Sequence, residues 1–142
     1  MTRIRLLDRH DTDALGNVTP GLFDHPIRPD QARAFLESPL HAMVVAEREG
    51  EWLAFASGTV LLHPDKAPAF FINEVGTREG YRRQGLGRRV TQALMDHARD
   101  LGCDEGIWLG TETDNDAALA LYRGLAGDEE VFVGFAWDGA FD

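Results

Sequence analysis

Two glycines and two arginines within six residues, Arg82-Arg83-Gln84-Gly85-Leu86-Gly87, form the one stretch of this 142-residue chain suited to holding an anion. They stand at the mouth of an apolar-periodic segment whose first helical turn would leave four backbone N–H groups without intrahelical acceptors. Glycines there let a phosphate approach those groups, and arginines add charge-assisted hydrogen bonds. Two familiar phosphate-binding patterns fail on spacing. A P-loop needs Gly-Lys-Ser or Gly-Lys-Thr, and Lys66 is the only lysine in the chain. A dinucleotide fingerprint needs a third glycine where Val90 stands, and polar REGYRRQ separates these glycines from the preceding strand.

Just upstream, Glu74 lies inside the apolar run FINEVGT, where an unpaired carboxylate is costly. Asn73 and Glu74 are adjacent, so in a strand they point to opposite faces. The distribution of charge marks the same region. The chain carries 24 acids against 14 Lys and Arg, a net charge of −10. Yet residues 78 to 99 hold Arg78, Arg82, Arg83, Arg88, Arg89 and Arg99 against only Glu79 and Asp96, while residues 103 to 142 are acidic apart from Arg123. A basic island in an acidic chain suits a polyanionic ligand beside a cationic one. The overall charge argues against nucleic acid as a partner. His10, His25, His41, His63 and His97 show no clustered metal-ligand spacing, so no metal is expected.

The elements that must position these residues follow from periodicity. Residues 3 to 7 read as a strand, Asp8 to Leu15 as a weak helix, 16 to 29 as a Pro- and Gly-rich loop, and Pro29 opens a short helix carrying Ala32, Phe35 and Leu36 on one face. Residues 42 to 49, 52 to 62 and 69 to 77 read as three successive antiparallel strands. Leu86, Val90, Ala93, Leu94, Ala98 and Leu101 form a helical stripe that Gly102 ends. A strand at 106 to 111, a helix from Asp114 to Leu125 and a strand at 130 to 138 complete the chain. This order predicts an α+β fold, a mixed, mostly antiparallel twisted sheet with helices on both faces, as a single domain over 1–142. Lone Cys103 and the lack of any long apolar run predict a cytoplasmic protein with no membrane contact.

Arg-x-x-Gly-x-Gly between a strand and an amphipathic helix resembles the acyl-coenzyme A motif of the Gcn5-related N-acetyltransferases (GNAT). NDAALALYRGLAG, 115 to 127, is similar to that family's Asn-x-x-Ala-x-x-Leu-Tyr element. The resemblance implies the GNAT fold and acetyl-CoA as acyl donor. Residue by residue, it implies cofactor contacts from Val75, Gly76, Thr77, Arg82, Arg83, Gln84, Gly85, Leu86, Gly87, Arg88, Asn115, Ala118 and Tyr122. It implies Glu74 as substrate anchor or base and Tyr122 as general acid. Asp24 and His25, in the loop that often covers the acceptor, are substrate-contact candidates, with Glu112, Asp114 and Trp137. NEVGTREGYRRQGLG and ALYRGLAGDEEVFVGFAWD look most like the small aminoglycoside 3-N-acetyltransferases, in which Glu74 and the run Asp128, Glu129, Glu130 would help receive a polyamine. The implied partner is thus a small cationic amine. A protein or peptide amine is the rival acceptor, and a non-catalytic acyl-CoA-binding module a third reading. The apolar final strand could also pair across a homodimer.

Overall fold

The computed structural model covers Met1–Asp142. Strand β1 (Arg3–Leu6) leads through a 3-10 turn (Arg9–Asp11) into α1 (Thr12–Gly16) and α2 (Pro29–Glu37). Then β2 (His41–Arg48), β3 (Glu51–Leu61) and β4 (Ala69–Thr77) follow, with α3 (Leu86–Asp100), β5 (Ile107–Trp108) and α4 (Asp116–Gly124) after them. The sheet runs in the order β1-β2-β3-β4-β5, antiparallel except for the β4–β5 pair. The predicted mixed sheet with helices on both faces is therefore observed.

Both faces of the central strands are covered, which explains why β2 and β3 read as nearly continuous apolar runs. One core joins Val44, Ala46, Leu53, Ala56, Phe70 and Ile72 to the Leu86, Val90, Leu94 and Ala98 stripe of α3. The other joins Met43, Val45, Trp52 and Phe55 to Leu15 of α1, Ala32 of α2 and Leu22 of the intervening loop. Helix α3 ends as its sequence requires: Gly102 takes φ +80°, the Gly102 N–H donates to Arg99 O, and the Cys103 N–H donates to Ala98 O. These are the paired bonds of a Schellman cap.

Three elements differ from the sequence reading. Asp8 caps a 3-10 turn by accepting from the His10 N–H at 2.8 Å, so the predicted first helix breaks into that turn and α1. The predicted strand at 106 to 111 narrows to two residues, with Ile107 half-buried and Trp108 exposed. The predicted strand at 130 to 138 does not form, and Val131, Phe132, Val133, Phe135 and Trp137 are exposed. Alternation specifies which side chains share a face; a strand also needs an edge to bond to. A two-residue β5 offers almost none.

The β3–β4 ladder carries the irregularity that shapes the site. Ser57 pairs with Glu74 and Gly58 with Ile72, leaving Asn73 as an extra residue, a β-bulge. Gly58 is sterically required there, because a Cβ would lie 2.4 Å from Phe70 Cε2 and 2.5 Å from the Phe71 carbonyl oxygen. The carbonyl cannot yield without moving β4. Gly58→Ala is therefore expected to destabilise the fold by about 1–3 kcal/mol, the usual range for overpacking, measured by urea unfolding.

Candidate functional site

Strand β4 pairs with β5 only at Phe70–Ile107 and Phe71–Trp108. Beyond the Asn73 bulge the β5-facing edge of β4 is free. The Arg78 N–H donates to Leu53 O at 2.9 Å, toward β3. By strand alternation the Gly76 N–H also faces β3, whereas those of Val75 and Thr77 face the open side. An extended amide-containing chain laid in this opening would meet a ready backbone edge.

The arginine and glycine turn follows directly. None of the backbone N–H groups from Arg82 to Arg88 donates to a protein acceptor; the first bond into α3 runs from the Arg89 N–H to Gly85 O at 3.1 Å. Arg83 (φ +64°) and Gly85 (φ +77°) are both left-handed. Such conformations turn successive N–H groups into an anion-binding concavity. Gly85 caps α3 in that geometry, where a side chain would be strained. Gly87 is under no such constraint: a Cβ there would lie 3.5 Å from Thr77 Oγ1 and 3.6 Å from Leu121 Cδ2. Strand β4, α3 and α4 therefore meet at Gly87. Exposed Arg82, Arg83, Arg88 and Arg89 surround the turn, so a diphosphate fits its donors in both number and charge.

One arginine of the basic island is not available to an anion. Arg78 is buried and its guanidinium donates to three backbone carbonyls, which removes it from the arginines of the basic island available to a polyanion. Sequence reasoning missed this role because the carbonyls come from distant segments.

Glu74 stands at the fork between β4 and β5. Its side chain reaches solvent, yet burial raises its pKa above the ordinary carboxylate range; repulsion from Asp24 raises it further, partly offset by His25. The structure thus sets Asp24 and His25, predicted from the loop, near enough for their charges to act on Glu74, with no hydrogen bond or ion pair joining them. The loop carries them on buried Leu22 and on Phe23, whose ring lies 4.3 Å from that of Phe55. Gly76 makes room for this seating, since a Cβ would lie 2.7 Å from Phe55 Cε1 and 3.3 Å from Leu22 O.

On α4, Tyr122 is half-buried and burial raises its pKa, which keeps the phenol protonated. Asn115 is the N-cap of α4, its Oδ1 accepting from the Ala118 N–H at 3.1 Å, so only its amide nitrogen is left to donate elsewhere. Ala118 is half-buried on the same helix. Glu112 and Asp114 are exposed between β5 and α4, and Trp137 is exposed in the C-terminal segment; no hydrogen bond or ion pair joins them to Glu74, Asp24 or His25. Of the acid run, Glu129 is already bound by Arg123 at 2.6 and 2.9 Å.

Residues 8–127 match the family described as Acetyltransferase (GNAT) family. Among relatives, the chain is 33% identical over 124 residues to the N-alpha-acetyltransferase RimI of Mycobacterium tuberculosis, covering 86% of this chain and 75% of that protein. It is 35% identical over 82 residues to the ribosomal protein bS18-alanine N-acetyltransferase of Escherichia coli, covering 58% of this chain and 51% of the relative. Among solved structures, an aminoglycoside acetyltransferase from an uncultured soil metagenomic sample, in complex with sisomicin, superposes with a TM-score of 0.81 at 20% identity. It covers 96% of this chain and 95% of its own. No helix is long and apolar enough to cross a membrane.

The environment of Glu74 predicts its titration. Carbon-detected NMR of the side-chain carboxyl should place its pKa above the ordinary value of ~4.3, and Asp24→Asn should lower it only part of the way, because burial remains. A carboxyl with a raised folded pKa contributes stability fully present below its unfolded pKa and lost as pH rises through the folded one. Glu74→Gln should therefore be more stable than the parent at pH 7, with the advantage vanishing in acid. A wild-type pKa at or below the ordinary value would refute this account.

Proposed function

The chain belongs to the acetyltransferase (GNAT) family and is an N-acetyltransferase of that type, and from that premise we propose that its acceptor is a small amine carrying more than one positive charge, of the aminoglycoside kind. The observation that carries this reading is that two carboxylates, Glu74 on the bulged strand and Asp24 on the 17–28 loop, lie close enough to act on each other's charge, with His25 also acting on Glu74. One carboxylate is enough to accept a proton. A second beside it attracts a further ammonium and orients it.

GNAT acetyltransferases use acetyl-CoA, which supplies a thioester when bound. The donors suited to its diphosphate are the N–H groups from Arg82 to Arg88, and those suited to its amide-bearing arm are the open-side groups of Val75 and Thr77. An ammonium has an ordinary pKa of ~10.4 and must lose a proton before nitrogen can attack. Glu74 receives that proton, directly or through water, and its raised pKa brings it closer to the strength a base needs at neutral pH. Tyr122 holds a proton at Oη that the departing sulfur requires, and its raised pKa ensures the proton is present. On this reading Asp24 and His25 bind the acceptor, and Glu112, Asp114 and Trp137 would line its outer approach.

A second reading is favoured by one specific finding. The RimI relative covers most of this chain at 33% identity, so a peptide α-amine is the competing acceptor. The same base and acid would serve it.

The test is thiol release from acetyl-CoA with sisomicin, spermidine and a peptide beginning with alanine as acceptors. Burial raises the Cys103 pKa and Asp104 adds to the shift, so the protein's own thiol should contribute little background. Turnover is expected with sisomicin or spermidine, and turnover with the peptide alone would sink the polyamine assignment. With the competent acceptor, Tyr122→Phe should lower kcat by about 10²-fold or more, the usual yield of a positioned acid. An unchanged kcat would remove Tyr122 from the chemistry.

A further inference from the structure

Between Thr19 and Ile27 the loop that carries Asp24 and His25 makes only two hydrogen bonds to the rest of the protein, and both come from Arg78. Arg78 Nη1 donates to Pro20 O at 2.9 Å and Nη2 to Thr19 O at 2.8 Å. Its Nε donates to Trp52 O on β3 at 2.7 Å, and its own N–H to Leu53 O at 2.9 Å. One planar guanidinium thus ties the loop to β3 from the first position after β4. The side chain is 9% exposed, and Glu51, half-exposed, is the only carboxylate near it, 3.6 Å from Nε. Gly21, at φ +107°, brings the loop close enough that a Cβ would lie 3.4 Å from Nη1.

The remaining hold on the loop is apolar: Leu22, Phe23 against Phe55, and Ile27. Apolar contacts fix how deeply a segment is buried, but they are non-directional. Direction comes from the fork of Arg78.

We propose that Arg78 is a positioning residue for the acceptor, holding the 17–28 loop so that Asp24 and His25 face Glu74, which lies four residues before Arg78 on the chain. The inference rests on the reading of that loop as the acceptor's cover. Because Arg78 joins the end of β4 to the loop, it also makes the acceptor side of the site depend on the strand whose open edge suits the cofactor. A lysine cannot substitute, since a compact ammonium does not reproduce a planar three-way fork.

The test uses the full chain with Arg78→Lys and Arg78→Met. In steady-state assays with the amine that the wild type acetylates, the acceptor KM should rise about tenfold or more, in line with the effect of a small displacement of binding groups, while the KM for acetyl-CoA stays within about twofold. Limited chymotrypsin digestion, mapped by mass spectrometry, should show much faster cleavage after Phe23 with no matching increase after Phe70 and Phe71 of β4. Should both KM values rise together, or cleavage at Phe70 and Phe71 accelerate equally, Arg78 would be a general support of the fold and the proposal would fail. Were the wild type to acetylate none of the three amines, the acetyl-acceptor reading would fall by itself, and unchanged cleavage after Phe23 would separately dismiss the loop lock.

Discussion

The parting of β4 from β5 is the constraint on which the rest of the site depends. A sheet whose strands stayed paired would consume every backbone donor along β4, and no ligand could use them. Here the pairing stops after Phe71, the bulge at Asn73 bends the strand, and the edge from Val75 to Thr77 is left free. The same bulge resets the alternation, so that Glu74 sits opposite Ser57 at the fork. Gly58 makes the bulge sterically possible, and Gly76 lets Phe55 and the loop close over the strand beyond it. Three features that look separate in the sequence, an acid in an apolar strand and two glycines in strands, are thus parts of one local distortion.

That distortion also orders the electrostatics. Anion-binding donors are gathered in the turn after β4, where left-handed Arg83 and Gly85 present them, and the exposed arginines of α3 stand beside them. The acids Glu74 and Asp24 lie at the other end of the free edge. A ligand negative at one end and a ligand positive at the other can therefore meet along β4 without either crossing a field of its own sign. Net charge alone would have hidden this, since it sums the basic stretch from 78 to 99 with the acidic residues on either side of it.

Local signals were legible and distant ones were not. The apolar stripe of α3, its opening at Gly85 and its stop at Gly102 are written in residues that touch each other, and the helix forms as read. The strand from Ala69 to Thr77 was equally plain. The structural role of Arg78 is not legible locally, because its acceptors, Thr19, Pro20 and Trp52, lie far away in sequence. The segment from Glu130 to Asp138 has the apolar, aromatic-rich composition of a strand, but the edge it would need depends on how far β5 extends, which its own residues do not encode. The approach of Asp24 to Glu74 was accessible only through resemblance, since it requires a loop and a bulge to converge.

The identity of the acceptor turns on which part of the likeness is given weight. At 20% identity, the aminoglycoside acetyltransferase shares a fold with this chain, and a fold shared across many chemistries does not select a substrate. The RimI relative is closer in sequence, but the turn and α3, to which the proposal gives the acyl donor, would be shared by any acceptor class. Discrimination must come from the side chains that face the amine. A peptide α-amine brings one positive charge and a backbone that needs hydrogen-bonding partners along its length. The loop from Thr19 to Ile27 has its carbonyls at Thr19 and Pro20 already engaged by Arg78, and at its tip it offers a carboxylate and an imidazole beside a second carboxylate. On the proposed reading this surface selects by charge, and a compact polycation presents more of it than a peptide terminus does.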